Sequence, residues 1–204
     1  TTGSNNVAIG FQALRESEEA SDNTAVGHAS LQQNTTGNFN VAVGNSAMLD
    51  NTTGTQNVAV GTSALSNNTE GTCNTALGHS TMENTTTGDC NTAVGRTALL
   101  ALTTGVRNTA VGKGALCDIT TTQDNTAIGY DSAKDSTANY TTAIGTEAVF
   151  RATGSGNTGV GYRTLFLNTS GTHNSTLGYQ SMCKNTTGAN NVAIGCRALF
   201  ENTT

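Results

Sequence analysis

Proline and tryptophan are absent from this chain, aromatic residues make up 4% of it and charged residues 11%. So few large apolar side chains cannot fill the thick core of an ordinary globular domain, although 204 residues would otherwise suggest one or two such domains. Disorder fits no better. Chains that stay unfolded combine low hydrophobicity with high net charge and much Pro, Glu and Lys, whereas the formal net charge here is only -5. No basic stretch offers itself to phosphates and no acidic run forms a tail, so nucleic acid is not an expected partner. No apolar run approaches a membrane span, so no membrane insertion is expected, and nothing at the N-terminus resembles a signal peptide. The chain opens and closes in mid-repeat, "TTG" to "NTT", which reads as a segment of a longer fibre.

Chemistry-bearing motifs are missing too. There is no G-x-S-x-G, H-E-x-x-H, P-loop or G-G-x-G-x-D calcium repeat. The histidines His28, His79 and His173 lie on different repeats, without a Cys or carboxylate partner at ligand spacing, and read as solvated surface residues. "RESEEASD" at 15–22 is the one acidic patch and reads as a solvated loop. The expectation is a non-enzymatic protein with no catalytic residue, no cofactor and no metal site.

What is present is repetition. "NTTTGDCNTAVGRTALLALTTGVRNTAVG", residues 84–112, says nearly the same thing twice. The glycine of N-T-A-V-G falls at Gly10, Gly27, Gly44, Gly61, Gly78, Gly95, Gly112, Gly129, Gly145, Gly161, Gly178 and Gly195. The spacing is 17 residues throughout, except for two intervals of 16 on either side of Gly145. Four residues before the glycine stands Asn in every repeat but one, where Thr141 replaces it. Two before is Ala, except at Gly159 and Thr176; one before is always Val, Ile or Leu. Four after is Leu or Met, except at Ala133 and Val149, and eight after is Thr from Thr35 onward.

A unit this short cannot bury its own apolar side chains, but stacked units can bury each other's. The T-A-V run is short, β-branched and bounded by Asn and Gly, so it reads as a strand. The fold class is therefore all-β, a parallel β-solenoid or β-roll of twelve turns of about 17 residues, with residues 1–204 forming a single repeat array. Like residues then stack at about 4.8 Å, giving a rod about 57 Å long. Stacked Asn side chains suit this geometry, because each amide can bond the next along the axis. The segment from two to seven after the glycine, such as "SALSNN" at 63–68, reads as a second strand, with one helical turn as the alternative. The small Ala column alternates with Val, so it faces the other way. It reads as a surface approached closely, by a neighbouring chain in preference to an apposed wall of the same roll.

"NNVAIG" at 5–10 and 190–195 resembles the YadA-like head repeat of trimeric autotransporter adhesins, and the longer "NTAVG…AL…NTTG" form is similar to repeats of phage and viral tail-fibre proteins. The resemblance covers all twelve repeats. It implies a left-handed roll, three chains to a rod, and a place outside the cell, on a cell surface or on a virion. The adhesin repeat is shorter, so the additional turn residues here are a departure.

Three further features are candidates for modification or binding. Sequons place Asn34, Asn51, Asn67, Asn84, Asn139, Asn168, Asn185 and Asn202 as candidate glycan carriers in a secreted eukaryotic chain; Asn174, in the ladder column, should be protected. The turn Thr persists where the sequon is lost, as in "LTTG" at 102–105, so it serves the turn itself. Of five cysteines, Cys73 and Cys90 share a column on consecutive turns, five before the glycine, and are expected to stack within disulfide range. Finally, Thr75, Thr92, Thr109, Thr126, Thr142 and Thr158 form a rank whose companion two residues on is aliphatic. The favoured function is a structural rod of an extracellular fibre, adhesin or tail fibre that self-associates as a homotrimer or filament and meets glycans or a receptor. The alternative is a surface-binding module, ice-binding or carbohydrate-binding, using its Thr and Asn ladders.

Overall fold

A computed structural model describes residues 3–204. Each repeat contributes one three-residue strand: β1 (Val7–Ile9), β2 (Thr24–Val26), β3 (Val41–Val43), β4 (Val58–Val60), β5 (Thr75–Leu77), β6 (Thr92–Val94), β7 (Thr109–Val111), β8 (Thr126–Ile128), β9 (Thr142–Ile144), β10 (Thr158–Val160), β11 (Ser175–Leu177) and β12 (Val192–Ile194). They form one sheet in chain order, and neighbouring strands are parallel and pair the same repeat positions, as in Thr75↔Thr92, Ala76↔Ala93 and Leu77↔Val94. The solenoid expected from the period is therefore the observed fold, one rung per repeat.

The strand's inside and outside are the reverse of the expectation. From Ala25 onward the alanine column lies inside the roll of a single chain; Ala42, Ala59, Ala76, Ala93, Ala110 and Ala127 are completely buried. The residues on either side of it in each strand, Thr, Val or Ser before and Val, Ile or Leu after, point outward. The reason is the thinness of the roll. Opposite each Ala stand the Leu or Met column, including Leu65, Met82 and Leu99, and a second small column including Ala64 and Ala98, all buried. Small side chains fit against those long ones, a methyl in most rungs and Thr176 in one. Where the opposite wall thickens, the column shrinks further: a Cβ on Gly159 would stand 2.6 Å from both Thr164 Oγ1 and Val149 Cγ2.

The segment after the glycine is neither a second strand nor a helical turn; among the described residues there is no helix. Its residues two and four after the glycine are left-handed, as in Ser63 (φ 54°), Leu65 (φ 52°), Thr97 (φ 56°) and Leu99 (φ 54°). The inter-rung hydrogen bonds nevertheless continue. Ser63 N donates to Asn45 O of the rung before at 2.9 Å, and Leu65 N to Thr81 O of the rung after at 2.9 Å. A left-handed non-glycine residue costs about 1–2 kcal/mol. Full burial of a leucine side chain contributes about 1.5–3 kcal/mol, enough to hold Leu65 and its counterparts there.

The two 16-residue intervals are absorbed in the T-T-G turn. Strands β8, β9 and β10 keep their lengths and pair Thr126↔Thr142↔Thr158. Thr137 N bonds Ala152 O, whereas a full-length rung bonds turn threonine to turn threonine, as Thr103 N does to Thr120 O. Val149 stays buried in the leucine column, at φ 50°.

Two asparagine ladders lie in the interior, the first interrupted at Thr141 and the second in two separate segments. In the first, four before the glycine, Asn91 N and Nδ2 both donate to Asn74 Oδ1, at 2.9 and 3.2 Å, while Nδ2 also donates to Gly105 O at 2.8 Å. Asn57 and Asn108 repeat this pattern, so such a residue clamps its strand to the rung before and to the turn that ends its own rung. The second ladder, seven after the glycine, holds Asn34, Asn51 and Asn68, stops at Thr85 and resumes with Asn168, Asn185 and Asn202. Asn68 Oδ1 and Thr85 Oγ1 are both buried there without a partner. Asn68 Nδ2 reaches Asn51 Oδ1 at 2.8 Å and Gly71 O at 3.1 Å, and an Asn at position 85 would reach Asn68 Oδ1 and Gly88 O in the same way. Thr85→Asn is therefore expected to stabilise the array by about 1 kcal/mol. A urea midpoint at or below that of the parent would count against this account.

Candidate functional site: the outward strand face

The outward side of the sheet consists of two columns. One reads Val7, Thr24, Val41, Val58, then six threonines from Thr75 to Thr158, then Ser175 and Val192; the other is Val, Ile or Leu throughout. Neither contains a charged residue in any of the twelve rungs. The columns repeat at about 4.8 Å along the rod, and the two side chains of one strand stand about 6.6 Å apart. Aliphatic side chains lie open along the whole length, from Ile9 and Val60 through Leu77 and Ile128 to Leu177 and Ile194, the last 70% exposed. Toward the C-terminal rungs the face dips into an apolar hollow lined by Thr158, Val160, Leu177, Val192 and Ile194.

The other surfaces carry ion pairs and ring stacks, most of them between successive rungs. Arg107 Nε and Nη2 donate to both carboxylate oxygens of Asp124, one rung on, at 2.7 and 2.8 Å. That contact lowers the Asp124 carboxyl and raises the guanidinium. Lys184 pairs with Glu201, Arg151 with Asp135 and Arg163 with Glu147 in the same manner. Phe150 stacks on Phe166 and Tyr162 on Tyr179, each with ring centroids 5.2 Å apart, and the Arg163 guanidinium lies over Tyr162 and Phe166. These ion pairs are exposed, so solvent screens them and they contribute little to stability. Contacts between rungs thus recur on those faces, while the strand face has no charged side chain to pair.

Four of the eight candidate glycan positions are corrected. Asn34, Asn51, Asn168 and Asn185 are completely buried, and their Nδ2 atoms, where a glycan would attach, donate within the second ladder. The Asn of the N-T-T-G turn points inward, because its Nδ2 donates to the glycine carbonyl three residues on. Asn202 is half-buried, with Nδ2 on Asn185 Oδ1. Asn67 and Asn84 stand one residue earlier in the repeat, on the outer side; Asn84 is exposed, and Asn67 Nδ2 donates to its Oδ1 at 3.3 Å. Asn139 is half-buried and its Oδ1 accepts from Gln123 N. Asn174 is buried in the first ladder, as expected. The turn threonines serve the backbone: Thr52 Oγ1 donates to Thr69 O at 2.9 Å and Thr35 Oγ1 to Thr52 O at 3.0 Å.

Cys73 and Cys90 stack on consecutive rungs in the same left-handed conformation, φ 58° at each, and both are free, exposed thiols. Cys117 and Cys183 are buried, and burial, with a hydrogen bond to Asp118, pushes the Cys117 thiol up to about 12. The three histidines are exposed, and among the described residues no three His, Cys, Asp or Glu side chains converge. No protein-family model matches this chain, and no curated protein matches it.

Proposed function

We propose that this chain is a structural, non-enzymatic rod of an extracellular fibre, adhesin or tail fibre, and that it associates with copies of itself, as a homotrimer or filament, through the outward strand face. One observation carries the reading: two outward columns without a charge over twelve rungs, in a chain whose charged side chains all lie on its other faces. At strand spacing the face measures about 57 by 10 Å. Two copies in contact would bury about 1,100 Å² in total, just above the roughly 1,000 Å² that a specific interface needs. The inter-rung hydrogen bonds supply length and stiffness, and the exposed turns meet solvent, surface glycans or a receptor.

Val111→Asp tests this. Val111 is half-exposed at the centre of the face, so a carboxylate there leaves the core untouched but would be buried unpaired in an interface, at a cost of several kcal/mol. The parent should sediment as a multimer and the variant as a monomer, with equal far-ultraviolet spectra and melting temperatures. A parent that is monomeric at tens of micromolar would remove the self-association. The second reading, a surface-binding module, is favoured by the unbroken Thr75–Thr158 rank on the same face. A monomeric parent that shapes ice crystals or lowers their freezing point would favour the ice-binding form, and one that pulls down with an insoluble polysaccharide the carbohydrate-binding form.

A further inference from the structure

The five cysteines fall into three environments. Cys73 and Cys90 are exposed and one rung apart; Cys196 is exposed, its nearest rung-mate in the column being Tyr179; Cys117 and Cys183 are buried four rungs apart. The first pair is held in place from the backbone. Cys73 N donates to Thr55 O at 3.1 Å and Cys90 N to Thr72 O at 2.9 Å, so the two residues repeat each other's conformation along the axis. Their Cα atoms stand one rung apart, about 4.8 Å, within the range of about 4.4–6.8 Å that a disulfide spans. Cys73 Sγ donates to Gln56 Oε1 of the rung before at 3.3 Å, and on the other side of the pair Arg107 is tied to Asp124. Neither neighbour lies between the two sulfurs.

We propose that Cys73 and Cys90 are a thiol–disulfide exchange site that takes a small-molecule disulfide and closes to a bond between adjacent rungs. In the first step the Cys73 thiol loses its proton to solvent and its sulfur attacks one sulfur of the reagent. A Cys73–reagent disulfide forms, and the other half leaves as a thiolate that takes up a proton. In the second step the Cys90 thiol loses its proton, its sulfur attacks the Cys73 sulfur, and the second half of the reagent leaves as a thiol. Two cysteine thiols are oxidised and one reagent disulfide is reduced to two thiols. Desolvation raises the Cys90 thiol, with Cys73 and Asp89 adding to the shift and Arg107 opposing it. The closing step is therefore expected to accelerate with pH, since the thiolate is the nucleophile.

Cys196 supplies an internal control. It meets the same reagent without a second thiol on the neighbouring rung, so its reaction stops at the adduct. Cys117 and Cys183 are shielded. The folded protein is incubated with glutathione disulfide, quenched with acid, and read by intact mass and non-reducing peptide mapping. The expected product carries one glutathione, on Cys196, and a bond between Cys73 and Cys90. In Cys90→Ser the adduct should remain on Cys73, and in Cys73→Ser on Cys90. Lasting adducts on both Cys73 and Cys90 of the parent would overturn the proposal, as would a bond between two chains or a reaction at Cys196 alone. The self-association reading stands or falls separately, because Val111→Asp leaves these thiols in place.

Discussion

Gly95→Ala is expected to destabilise the array by about 2–6 kcal/mol, the sum of a strained backbone of about 1–3 kcal/mol and overpacking of similar size. Gly95 sits at φ 127°, where side-chain-bearing residues rarely go, and a Cβ there would lie 2.7 Å from both the carbonyl carbon and the oxygen of Gly112. The neighbouring rung cannot retreat, because Gly112 N is fixed on Val94 O at 2.8 Å. Gly195 separates the two contributions. Its φ is 122°, but nothing lies within 4 Å of an added Cβ, so Gly195→Ala should cost only the backbone part. Urea denaturation of the two variants measures the difference. Equal midpoints for Gly95→Ala and the parent would mean that rungs do not approach as closely as the glycine column requires.

Asn91→Ala should cost about 2–5 kcal/mol and leave the fold recognisable. The substitution removes the donor to Gly105 O and the acceptor that serves Asn108 N at 2.9 Å and Asn108 Nδ2 at 3.1 Å. Asn91 and Asn108 are completely buried, so water cannot replace these bonds, and each orphaned group costs about 1–3 kcal/mol. The chain contains one natural gap of this kind. Thr141 keeps its backbone bond to Asn125 Oδ1, but its hydroxyl is buried without a partner. The array accommodates that gap with β8, β9 and β10 in register. In a stack whose stability adds rung by rung, a single break weakens its neighbours more than distant rungs. Hydrogen exchange should therefore rise around residues 74–108 first. Uniformly unchanged protection would show that the ladder contributes little.

Much of this architecture was legible in the residues. A column that repeats Asn, Gly and an aliphatic residue every 17 positions leaves few alternatives to stacked rungs, since only translation along an axis gives like residues like surroundings. That logic carried the strand positions, the register, the first asparagine ladder, the absorption of the short intervals in the turn and the stacking of Cys73 on Cys90. The Thr75–Thr158 rank and its aliphatic companion, now the candidate site, were visible as columns in the same way.

Which side of each column faced inward was not visible. Alternation along a three-residue strand shows that Ala93 and Val94 point oppositely, and it carries no information on which of them is buried. The thickness of the roll decides that, and thickness follows from the path of the return segment. That path depends on leucines in the left-handed conformation, such as Leu65 and Leu99, which local propensity disfavours and only the burial gained against the alanine wall makes favourable. The asparagines of the N-T-T-G turn repeat the lesson. Asn34 and Asn84 lie in nearly the same sequence, but one residue of offset in the repeat puts the first in the core and the second in solvent. The sequence by itself determined the period and therefore the stacking. The tertiary structure decided inside from outside, because burial depends on what the opposite wall leaves room for.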